Sequence, residues 1–73
     1  MSEVAVIGAP ELVTGFALAG ARAYPVASAD EAVAAWQQLP ATVGVVVLSE
    51  AAADAIGDLR AAHAAPLTVR LPA

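Results

Sequence analysis

The sequence predicts an α/β fold with a small, doubly wound parallel sheet. Three observations predict it. Short apolar, β-branched runs alternate along the chain with segments of helical spacing. The two strongest runs, Val4–Ile7 and Val43–Leu48, are continuously apolar, as strands covered on both faces must be. Helix-start signals follow the strand-like runs at Pro10, at Ser28 with Glu31, and at Ser49. The 73 residues, 1–73, form one domain.

The first strand runs through Val4, Ala5, Val6 and Ile7, and Gly8 permits a tight exit. Pro10 occupies the first helical turn, where its missing N–H has no intrahelical acceptor to lose. Glu11 follows near the positive end of the helix dipole. Leu12, Val13 and Phe16 make one stripe toward the sheet, and Gly20 ends the helix. Gly15 in mid-helix costs about 1 kcal/mol against alanine, and a close approach of sheet or partner would explain it.

Ala21 to Pro25, with Arg22, Ala23, Tyr24 and Val26 in partial alternation, is a weaker second strand, and Pro25 suits an edge. Ser28-Ala29-Asp30-Glu31 is a capping box opening a helix with Ala32, Val33, Trp36 and Leu39 on its apolar side, closed by Pro40. Trp36 reads as a core anchor. Val43–Leu48 is the central strand. Ser49 caps a third helix with Glu50 and Asp54 near its start and Ala52, Ile56, Leu59 and His63 on its apolar stripe. Gly57 weakens that helix and Pro66 stops it. Leu67–Leu71 is the fourth strand, ending at Pro72.

Right-handed crossovers give strand order 2-1-3-4, half of a Rossmann-like or flavodoxin-like sheet. The first helix then lies on one face and the second and third on the other. The first helix's face is left undercovered above the third and fourth strands, and an exposed apolar face is an expected partner site.

Composition narrows the function. A chain of 73 residues buries roughly 60% of its unfolded surface. Much of its 60% hydrophobic content is alanine, which contributes little burial energy. A modestly stable domain that gains from a partner is expected. The net charge of −4, with seven acidic residues, three arginines and no lysine, argues against nucleic acid or an anionic membrane surface. Without cysteine there is no disulfide, thiolate chemistry or cysteine metal site. No apolar run approaches the roughly 20 residues of a membrane span, and the first strand starts at once, so a soluble intracellular protein without a signal peptide is expected.

Ligands of such sheets bind at the C-terminal strand ends. There Gly8-Ala9-Pro10-Glu11 lacks glycines and free N–H groups for a phosphate, and Glu11 repels one. No nucleotide, flavin or other cofactor is expected. The acidic pair, aspartate and lysine of a phospho-receiver site are missing at Gly8-Ala9 and Ser49. Ser49 has no base beside it and reads as a cap. His63 is the sole histidine and has no companions for a metal. Glu50, Asp54 and Asp58 recur at i, i+4, i+8, which describes a solvated face or an acidic docking stripe. Arg70, inside a late strand, reads equally as a snorkelling edge residue or as one half of an interface ion pair. No acid–base or nucleophile constellation of an enzyme is present.

The residues Ala5-Val6-Ile7-Gly8 leading to Thr14-Gly15-Phe16-Ala17-Leu18-Ala19-Gly20 resemble the F subunit of vacuolar/archaeal-type rotary ATPases. The similarity continues through Tyr24-Pro25-Val26, Asp30-Glu31-Ala32, Val45-Val46-Val47-Leu48-Ser49-Glu50, Pro66-Leu67-Thr68-Val69 and Leu71-Pro72. It covers nearly the whole chain, and the glycine–phenylalanine segment is its most specific part. The resemblance implies a non-catalytic subunit of the rotor stalk, docked on the coiled-coil D subunit among the other ATPase subunits. It implies torque transmission and regulation in the cytoplasm, peripheral to the membrane, without membrane insertion. The family's usual C-terminal helical segment would follow Leu71-Pro72-Ala73. Gly15, Phe16 and Arg70 are the expected partner-binding residues. The alternative is a stand-alone receiver-like regulatory or small-ligand domain, with an anion pocket near Gly8, Ser28 and Ser49.

Overall fold

The computed structural model describes residues 3–57 and 67–71. Its elements run β1 (Glu3–Gly8), α1 (Pro10–Leu18), β2 (Arg22–Pro25), α2 (Ala29–Gln37), β3 (Val43–Leu48), α3 (Glu50–Ile56) and β4 (Leu67–Arg70). All strand pairs are parallel and the order is β2-β1-β3-β4, as the crossover rule requires. β2, with Pro25, is an edge strand. β2 begins at Arg22 and β4 ends at Arg70, each a residue short of expectation, and α2 ends at Gln37, which leaves Leu39 beyond the helix.

The helices start and stop where local chemistry directs. Pro10 opens α1, and Gly20 closes it at φ +96°. There the N–H of Gly20 donates to the carbonyl of Ala17 and that of Ala21 to Phe16, a Schellman ending with Phe16 and Ala21 on one cluster. Ser28 caps α2, its hydroxyl accepting from the Glu31 N–H at 3.2 Å. The Glu31 carboxylate reaches back to the N–H of Ala27 at 3.1 Å, one residue before the usual capping-box partner. Ser49 caps α3 through the Ala52 N–H.

α3 is shorter than its apolar pattern predicts. It ends at Ile56 because Gly57 takes φ +51°, outside helical geometry. Gly57 is thus a terminus, not a weak point within a longer helix. Asp58, Leu59 and His63 lie outside the described residues.

The sheet separates two cores. On one side Ala5, Ile7, Val46 and Leu48 pack under Ala32 and Ala35 of α2 and Ala52, Ala53 and Ile56 of α3. Alanine at the facing helix positions lets α2 and α3 lie side by side on the sheet. Trp36 is half-buried and flanks this cluster instead of anchoring its centre, which belongs to Ile7, Val46 and Leu48. On the other side Val6, Val13 and Val47 make a smaller core, with Phe16, Ala21 and Leu71 around it.

Gly8 and Gly15 are glycine for different reasons. A Cβ on Gly8 would meet Leu12 Cδ2 at 2.9 Å and Ser49 Cβ at 3.1 Å, since β1, α1 and the start of α3 converge there. A Cβ on Gly15 would meet nothing within 4 Å. The close helix–sheet approach expected for Gly15 is therefore absent. Gly8→Ala is expected to destabilise the domain by about 1–3 kcal/mol through overpacking. Gly15→Ala is expected to stabilise it by about 1 kcal/mol through helix propensity. Urea denaturation of the two variants checks the opposite signs.

Candidate functional site

The surface most distinctive in the structure is the sheet face on the side of α1. The β-ladders put Val4, Val45 and Leu67 in one row and Val6, Val47 and Val69 in the next. The helix α1 packs on β1 and β2, and Val6 and Val47 are buried in one cluster with Val13 of α1, against which Phe16, Ala21 and Leu71 pack. Beyond its flank the rows are bare: Val4 is 41% exposed, Val69 45% and Leu67 70%. Val4 and Phe16 also line a depression of about 410 Å³ beside α1, with Ala19 and Ala21. The undercovered face expected from the topology is therefore present, and its exposed apolar residues come from β1 and β4. The ladder register, together with the lack of a second described helix on this side, is the signal that identifies them.

The expected contact residues fall in different places. Phe16 is half-buried at the border of the bare face. Gly15 is exposed on α1, and Ala19, four residues on, shares its flank. Arg70 pairs by register with Leu48 on the opposite side of the sheet. Its guanidinium meets Asp54 at 3.1 Å and Glu50 at 3.6 Å. The ion pairs it makes are internal, tying edge strand β4 to α3. Two of the three acids in the i, i+4, i+8 series are thereby partly neutralised within the chain.

A second polar cluster was not evident from the sequence. The Arg22 Nε donates to Glu3 Oε1 at 2.9 Å, and the Thr42 hydroxyl donates to Glu3 Oε2. These groups lie 19 and 39 residues from Glu3, so only the fold brings them together. The Thr42 hydroxyl first, and then Arg22, hold the Glu3 carboxyl below its ordinary 4.5. Glu3 in turn raises Arg22.

At the C-terminal strand ends lies an open cleft of about 580 Å³, lined by Pro10, Glu11, Ser28 and Ser49 among others. It occupies the position foreseen by the receiver-like alternative. Its chemistry is poor for an anion. The Ser28 and Ser49 hydroxyls accept from helix N–H groups, Pro10 has no N–H, and Glu11 adds negative charge. Among the described residues no His, Asp and Glu cluster could hold a metal ion, and no helix is long and apolar enough to cross a membrane.

A parallel sheet with a bare apolar face and self-capped strand ends defines a small α/β domain whose prominent feature is a surface. Residues 4–73 match the family described as the ATP synthase (F/14-kDa) subunit, and the chain belongs to that family. The fold is similar to the crystal structure of the F subunit of the V-type ATP synthase from Archaeoglobus fulgidus. That chain is 26% identical, with a TM-score of 0.67 over 93% of this chain and 96% of that one. No curated protein sequence matches.

Because its carboxyl is held low, Glu3 contributes stability above the ordinary carboxylate value. That contribution is lost as pH falls through the lowered value of the folded state. Glu3→Gln is therefore expected to be less stable than the wild type at neutral pH. The gap should close in acid, where Glu3 is protonated in both states. Chemical denaturation across pH reads this directly, and a gap independent of pH would contradict it.

Proposed function

We propose that the chain is a non-catalytic subunit of the central stalk of a V/A-type rotary ATPase, docking on the coiled-coil D subunit. In this role it couples or regulates ATP turnover with ion transport without carrying ATP chemistry itself. The bare face of valine and leucine beside α1 carries the reading, in a chain that belongs to the family of F subunits. An exposed contiguous apolar surface on a small domain marks an interaction site. Phe16 and Gly15 border this surface, and we assign both to the contact. Arg70 enters at one remove, by bracing β4, the strand that carries Leu67 and Val69.

The proposal is tested by co-expressing the chain with the matching D subunit and analysing the product by size-exclusion chromatography with light scattering. A stable one-to-one complex is expected. A folded chain that remains separate from the D subunit would overturn the docking role.

A further inference from the structure

The two edge strands of the sheet, β2 and β4, contain no buried residue. The buried side chains of the sheet belong to β1 and β3. Burial therefore holds the centre, and the edges depend on something else. β2 has apolar support. Tyr24, and Val26 just beyond the strand, pack against the larger core, and α1 lies against β2. β4 has less of it. Leu67 and Val69 are exposed, and Leu71, just past the strand, packs against the smaller core.

What β4 has is backbone pairing and charge. It runs parallel to β3 from Leu67 beside Val45 to Arg70 beside Leu48, and the Leu71 N–H donates to the Leu48 carbonyl at 2.9 Å. Arg70 then crosses to α3, with its guanidinium 3.1 Å from Asp54 and 3.6 Å from Glu50. The two acids stand one helical turn apart, so a single guanidinium reaches both. All three side chains are roughly half exposed or more, so water and salt reach the clasp and each pair is weak.

We propose that β4 is a strap. It opens from β3 as a unit while β1, β2 and β3 keep their pairing, and the clasp of Arg70 on Asp54 and Glu50 sets how often it opens. The opening exposes no buried side chain of β4 itself. It leaves the outer edge of β3, Val45 to Leu48, without a strand partner. Ionic strength thereby sets how much of the time the sheet has four strands and how much of the time three. The inference concerns the chain alone and does not rest on the stalk reading.

Three amides placed alike supply an internal comparison. The N–H of Val26 donates to the Gly8 carbonyl, that of Ser49 to Ile7 and that of Leu71 to Leu48, so each reports one strand pair. Hydrogen exchange of the purified full chain is followed by NMR. Leu71 and the amides of β4 are expected to be protected at least about tenfold less than Ser49. Their exchange should depend little on urea, because the opening exposes little surface. Val26 should be better protected than Leu71, as the apolar support of β2 requires. Raising sodium chloride from about 0.01 M to about 1 M shortens the Debye length from about 30 Å to about 3 Å. Exchange in β4 should then rise about two- to fivefold, the scale of an exposed ion pair. Ser49 should not follow, because salt also eases the self-repulsion of a chain carrying −4. Arg70→Gln at low salt should reproduce the rise and remove the salt response, and Asp54→Asn should give a smaller rise. The wild-type salt series carries the test if Arg70→Gln fails to fold.

Equal protection and equal urea dependence at Leu71 and Ser49 would overturn the strap, since β4 would then open only with the whole domain. Fast exchange confined to Leu71, with the rest of β4 protected like Ser49, would reduce the opening to a frayed end and overturn it as well. Exchange in β4 that ignores salt and both substitutions would overturn the clasp.

Discussion

A parallel sheet has to be covered on both faces, because its strands are joined by crossovers and its backbone is paired only within its plane. Four strands present two faces. The described helices are three, placed two on one side and one on the other by the single reversal of strand order between β2 and β3. Everything distinctive in this molecule follows from that inequality. The side with α2 and α3 holds the fuller core. The side with α1 buries Val6, Val13 and Val47 and leaves the next rows open.

Alanine allows a chain of this length to hold such an arrangement. Ala32, Ala35, Ala52 and Ala53 are all buried at helix positions facing the first core. They add little hydrophobic free energy individually, but they let helices sit close to each other and to the sheet, so that Ile7, Val46 and Leu48 are sealed. Local devices add to that core. The serine caps, the Schellman ending of α1 and the internal ion pairs each satisfy groups that a larger core would otherwise have to tolerate.

The fold was largely legible because its signals are local. Pro10, Ser28 with Glu31, Ser49 and Gly20 mark helix ends through chemistry contained within a few residues. The continuous apolar runs identify the central strands, and handedness supplies the order. The end of α3 was hidden because Leu59 and His63 continue the helical period past Gly57, and periodicity alone cannot reveal that a glycine adopts positive φ. The candidate surface was legible in outline only. Its position follows from topology, but its members follow from ladder register, which places Val4 beside Val45 and Leu67. The partners of Arg70 and the cluster of Glu3, Arg22 and Thr42 depend on contacts between distant segments, for which the sequence carries no local mark.

The bare face adjoins β4, and no described strand pairs with β4's outer side. A chain on its own therefore displays an apolar surface and an unpaired strand edge together, the combination that promotes aggregation. Acidic charge opposes self-association but does not remove the hazard. A protein built this way is safest when it is made alongside its binding partner and in matched amounts, since any excess would persist as an aggregation-prone orphan. The geometry of one uncovered sheet face thus bears on how much of this chain a cell can keep unassembled.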